Sequence, residues 1–102
     1  MTDTERAVGR PEGAKTFDAT VATAFGRAIR LMRKKSRMSQ DALGANAGIE
    51  RAHISKLERG RHMPTLIGIV RIARALQLPA HELVKCAEDF LPSDYVPPLR
   101  GG

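Results

Sequence analysis

Two short helix-period segments joined by a tight turn constrain this chain more than any other feature. The first is Gln40 to about Ala47 and the second about Arg51 to Glu58, with Gly48-Ile49-Glu50 between them. Ser39 is a suitable N-cap for the first. A capping box is absent, because Ala42 stands where its acid would be. Gly48 breaks the helical pattern and can take positive φ at a helix end. A small residue at the joint lets the two helices cross closely. Leu43, Ala47, Ile54 and Leu57 then lock the crossing angle, and the outer face of the second helix becomes a rigid rod.

Three further segments carry helical spacing. Val21, Phe25, Ala28, Ile29 and Met32 make one apolar stripe between about Thr20 and Lys35. Thr65 caps a segment striped by Leu66, Ile69, Ile72, Ala73 and Leu76. Pro79 opens a last segment near its first turn, where proline is tolerated. Its apolar positions are Leu83, Val84, Ala87, Phe90 and Leu91. No segment alternates apolar and polar residues as a strand does, so the fold class is all-α with five helices. Residues 1–16 carry Gly9, Pro11 and Gly13 and read as a flexible arm, the domain spans 17–91, and the proline-rich residues 92–102 read as an extended tail. Arg6, Arg10 and Lys15 leave two readings of the arm open: a solvated segment, or one that touches phosphates or a minor groove.

Charge narrows the partner. Seventeen Lys and Arg against 11 Asp and Glu give a net charge of +6 in 102 residues, which favours an anionic partner. Three Phe, one Tyr and no Trp leave little to stack single-stranded bases. Cys86 is the one cysteine, so no internal disulfide forms and a reducing cytoplasm fits. It reads as a small apolar residue or as a redox sensor. No apolar run approaches the roughly 20 residues that span a bilayer, and the N-terminus lacks the apolar core of a secretory signal. His53, His62, His81 and Cys86 match no zinc spacing. No phosphate loop follows a strand and no nucleophile sits beside a base, so neither an enzyme nor a cofactor is expected.

Two short helices with a tight joint, flanked by longer ones, form the helix-turn-helix pattern, and the major groove of B-DNA admits one α-helix. The run Met38-Ser39-Gln40, Leu43, Gly48, Ile54-Ser55, Leu57-Glu58-Arg59-Gly60, Pro64-Thr65-Leu66 and Ile72-Ala73-Arg74-Ala75-Leu76 resembles the Cro/C1-type (XRE-like) helix-turn-helix regulators over roughly residues 22 to 91. The resemblance implies a five-helix, lambda-repressor-like DNA-binding domain that reads double-stranded DNA with its third helix. Arg51, Ala52, Ser55 and Lys56 match the family's base-reading positions. Arg51 suits guanine O6 and N7, and Ala52 suits a thymine methyl. Ser39, Gln40, Arg59, Arg61 and His62 match phosphate-contacting positions, with Arg27 a weaker candidate, and a glutamine at the place of Gln40 can also brace a side chain of the third helix. Such contacts set position rather than sequence. The family pattern pairs Arg33 with Glu58 between the first and third helices, either buried or exposed.

Two residues depart from the pattern. Glu50 stands where the family has a Ser or Thr cap; it repels phosphate, yet it can accept from a cytosine amino group. Gly44 replaces a usual Ala, costing about 1 kcal/mol in helix propensity while permitting closer packing. The expected function is a transcriptional repressor acting as a homodimer on an inverted repeat. Leu83, Val84, Ala87, Phe90 and Leu91 are divided between the core and a second subunit. The alternative is an antitoxin-type module that also holds a protein partner through its tail, with Leu91, Tyr95, Val96 and Leu99.

Overall fold

The computed structural model describes residues 17–98. The arm at 1–16, with Arg6, Arg10 and Lys15, and the tail residue Leu99 lie outside them. Five helices follow in order: α1 (Ala19–Lys35), α2 (Gln40–Ala47), α3 (Arg51–Glu58), α4 (Leu66–Ala75) and α5 (Ala80–Asp89). The described residues contain no strand.

Local chemistry sets the boundaries. The Asp18 carboxylate accepts from the Val21 amide at 3.0 Å, so α1 starts at Ala19, one residue before the expected Thr20. Its last turn carries Arg33, Lys34 and Lys35, which suit the negative end of the helix dipole. Ser39 Oγ accepts from Ala42 N at 2.9 Å and Thr65 Oγ1 from Gly68 N at 3.0 Å, capping α2 and α4. Gly48 ends α2 with φ 70°. Glu50 occupies the N-cap of α3 without a side-chain cap bond, as its poor capping chemistry predicts. Pro79 is itself the N-cap of α5 rather than part of its first turn, and Phe90 is the C-cap, so Phe90 and Leu91 lie beyond the helix.

Each helix sends one large side chain to the centre: Ile29, Leu43, Ile54, Ile72 and Leu83 are fully buried. Burying such a side chain stabilises by about 1.5–3 kcal/mol. α1 packs against α3 and α5, α2 against α3 and α4, and α4 against α5. Two glycines allow close approach. A Cβ on Gly26 would lie 2.4 Å from the Leu57 carbonyl oxygen, and one on Gly44 would lie 2.5 Å from that of Ile49. The backbones of α1 and α2 therefore reach the chain at either end of α3 with no side chain between.

The core also absorbs residues expected elsewhere. Leu83 and Ala87 are buried, so these two dimer candidates are core residues, while Val84 is exposed and Phe90 and Leu91 are half-buried. Cys86 is a buried free thiol. Burial, helped by the Asp89 carboxylate, pushes its pKa up and leaves it protonated. A buried neutral thiol is a poor redox sensor.

Candidate nucleic-acid interface

The helix α3 is held from behind. Ile54, Leu57 and Glu58 are buried on its inner side, while Arg51, Ala52 and Lys56 are exposed on its outer side and Ser55 is half-buried. An 8-residue helix has little stability of its own, so its attachment fixes its aim. Arg33 Nε and Nη2 donate to the two Glu58 carboxylate oxygens at 2.6 and 2.9 Å. Their side chains are 10% and 2% exposed, so the pair expected between the first and third helices is buried. Arg33 Nη1 also donates to the Met38 carbonyl, and Gln40 Nε2 to Glu58 Oε1. One bidentate pair thus ties together α1, the turn before α2, the start of α2 and the end of α3.

The Glu58 carboxyl is pulled in opposite directions. Burial raises its pKa, but the Arg33 and Gln40 hydrogen bonds, with the charges of Arg33 and Arg30, outweigh burial and hold it below the usual carboxylate range. A depressed folded-state pKa contributes stability above the unfolded value, and that stability is lost as pH falls through the folded value. Unfolding free energy is therefore expected to drop as the pH is lowered below about 4.5. Glu58→Gln should flatten that dependence when urea denaturation is followed across the acid range.

The outer face carries its own contacts. Arg51 Nε lies 3.5 Å from Asp41 Oδ1, with both side chains exposed. Arg59 donates through Nη1 to the Ser55 hydroxyl. Arg51, Ser55 and Arg59 are spaced four residues apart, which places them along one helical stripe. Arg59, expected to contact phosphate, thus lies against Ser55, which is expected to face a base. Lys56 and Arg61 are exposed. His62 meets His53 edge to face with ring centroids 4.7 Å apart. Burial, then the charges of His62 and Lys56, lowers the His53 pKa.

Other expected site residues make contacts within the fold. Ser39 spends an acceptor on its expected cap, and Gln40 makes the expected brace to a side chain of α3, Glu58. The Arg27 guanidinium lies over the Phe90 ring, 4.8 Å from its centroid, so it joins α1 to the end of α5. Three of the interactions that carry no plain sign in the sequence are the close approach at Gly26, the Asp41–Arg51 pair, and the bond from the Tyr95 hydroxyl to Asp18. A glycine inside an apolar helical stripe was the one available signal among them. The other two join residues that only the fold brings together.

The helix-turn-helix domain family matches residues 24–84, more than half of the chain. The chain belongs to this family of DNA-binding transcriptional regulators, in its Cro/C1-type, XRE-like branch. It is 38% identical over 65 residues to an uncharacterized HTH-type transcriptional regulator, y4dL, of Sinorhizobium fredii (strain NBRC 101917 / NGR234). That match covers 64% of this chain and 32% of the relative, so the chain spans about a third of the relative's length. The fold is similar to the restriction-modification controller protein C.AhdI from Aeromonas hydrophila, with TM-score 0.60 and 31% identity over 61% of this chain and 94% of that one. It is also similar to the DNA-binding domain of the P22 C2 repressor, with TM-score 0.58 and 34% identity over 60% and 80% of the two chains. The five helices thus form the lambda-repressor-like fold. This is a family of regulators rather than of enzymes. No helix among the described residues is long and apolar enough to cross a membrane.

Proposed function

We propose that the chain represses transcription by binding an inverted repeat in double-stranded DNA as a homodimer, with α3 in the major groove. The observation that carries this reading is the outer face of α3. Arg51, Lys56 and Arg59 stand exposed on a helix whose inner side is buried and whose end is fixed by a buried ion pair. Arg51 and Lys56 would read base edges with Ala52, Ser55 and Glu50. Arg61, His62, Ser39 and Gln40 would meet phosphates and set the register. The repressor role draws on the similarity to the P22 C2 repressor domain.

A second copy would cover exposed aliphatics on α4 and α5. Leu66 and Ile67 are 75% and 61% exposed at the start of α4, with Val70 one turn on and Val84 exposed on α5. Val84, Leu91, Ile69, Met63 and Pro64 line one apolar cleft. Clustered apolar exposure of this kind marks association surfaces, and a twofold axis would use the same patch on both subunits. The dimer surface is thus proposed on Val84 and Leu91 with the start of α4, without Leu83 and Ala87. Use of the tail for a protein partner has less support, because Tyr95 is bonded to Asp18 of the same chain.

Selection of bound sequences from a random duplex pool tests the reading. The expected product is an inverted repeat with half-sites about one helical turn, roughly 34 Å, apart. Val84→Asp with Leu66→Asp should weaken binding to that repeat at least tenfold and shift sedimentation toward the monomer, while leaving single half-site binding intact. Recovery of no common sequence, with affinity set by salt alone, would mean that only the positive field acts.

A further inference from the structure

We propose that Asp41 is a positioning residue for base reading: its carboxylate braces Arg51 so that the guanidinium meets guanine in one fixed pose. The inference rests on the DNA-binding reading above. Asp41 sits in the first turn of α2 and Arg51 opens α3, so the pair spans the joint between the two helices. Asp41 Oδ1 lies 3.5 Å from Arg51 Nε. Nε is the guanidinium nitrogen that faces the carboxylate in this ion pair, which leaves the two terminal nitrogens for the O6 and N7 acceptors of one guanine. An unbraced arginine side chain must lose its rotamer freedom on binding. It can also swing from the base to a neighbouring phosphate, where the contact is independent of sequence.

The charge of Asp41 adds a second effect. A carboxylate at the rim of the interface repels phosphate wherever the protein lands, whereas the fixed guanine contact repays it only at the right base. Asp41 therefore raises the ratio of specific to non-specific binding and not the affinity itself. A stabilising role on the α2 dipole alone would predict something else: lower thermal stability and a uniform loss across all sequences. Glu50 lies next to Arg51 in the chain, but it stands at the N-cap of α3 without a side-chain bond there, and it does not bridge the two helices as Asp41 does.

The test compares selected sequences for the wild type, Asp41→Asn, Asp41→Glu, Arg51→Ala and the Asp41→Asn/Arg51→Ala double variant, with melting temperatures measured alongside. Arg51→Ala should identify the half-site position that Arg51 reads. At that position Asp41→Asn should lower the guanine preference about tenfold, and leave the other positions unchanged. Its affinity for random duplex should rise about twofold, as one repulsive charge is removed. Asp41→Glu should keep most of the preference, and Asp41→Asn should add nothing in the Arg51→Ala background. A guanine preference within twofold of wild type in Asp41→Asn, or an equal loss at every position, would overturn the role of Asp41 while leaving DNA reading intact. If Arg51→Ala changes no position, the reading of α3 itself fails and this inference falls with it.

Discussion

Replacing Arg33 by alanine is expected to cost about 3–5 kcal/mol, because it strands the Glu58 carboxylate in the interior. The side chain of Glu58 is 2% exposed, and after the change only the Gln40 amide and the charge of Arg30 remain to offset its burial. For a domain of this size the melting temperature should fall by about 15 °C or more. The pH dependence should also reverse in sign. In the wild type the Glu58 pKa is depressed, and stability is lost toward acid. In Arg33→Ala burial, the largest of these influences, is opposed only by the Gln40 hydrogen bond and the charge of Arg30, and it is expected to raise the folded-state value. That variant should gain stability as pH falls through the acid range, when the stranded carboxylate takes up a proton. Adding Glu58→Gln to Arg33→Ala should restore part of the loss at neutral pH. Denaturant titrations of the two single variants and the double variant, at neutral and acid pH, check all of this. A loss under about 1 kcal/mol would place the pair among solvent-screened surface ion pairs and contradict its burial.

The second large effect is at glycine. In an exposed helix, Gly→Ala gains about 1 kcal/mol through backbone entropy. At Gly26 and Gly44 the expected sign is opposite. The new methyl would stand 2.4 Å from the Leu57 carbonyl oxygen at Gly26 and 2.5 Å from that of Ile49 at Gly44, and both obstacles are backbone. Overpacking of this kind costs about 1–3 kcal/mol, occasionally more, and relief requires α3 to move. Gly26→Ala pushes on the C-terminal end of α3 and Gly44→Ala on the turn before it. Each should lose stability in denaturation and lose DNA affinity by more than unfolding alone explains, because a shifted α3 no longer presents its outer face in register. A gain in stability at either site would show that the helices tolerate a wider separation.

Much of this architecture was legible because its determinants are local. Ser39, Gly48 and Thr65 mark helix ends by their own chemistry, and the expected limits of α2 and α3 match the structure. The stripes of Ile29, Leu43, Ile54 and Ile72 located the core for the same reason. Leu83 and Ala87 show where the reasoning stops. An apolar stripe looks the same whether it faces its own core or a second subunit, and only the packing of α5 on α1 and α4 separates them. Charged side chains are less legible still. Arg27 reads as a phosphate ligand by its sign, yet it lies over Phe90 from the far end of the chain. Asp41 carried no signal in the sequence, and its meaning comes from Arg51 across the joint. Gly44 departs visibly from the family pattern, but its cost or benefit depends on a carbonyl oxygen that only the fold brings near.

Methylation interference on a selected site shows whether α3 reads bases in the major groove. Dimethyl sulfate places a methyl on guanine N7, in the major groove, and on adenine N3, in the minor groove. N7 methylation at symmetric guanines in the two half-sites is expected to block binding. Arg51→Ala should remove the sensitivity at one of those guanines in each half-site. Interference confined to adenine N3, or N7 interference that Arg51→Ala leaves untouched at every guanine, would contradict the assignment of α3 as the reading element.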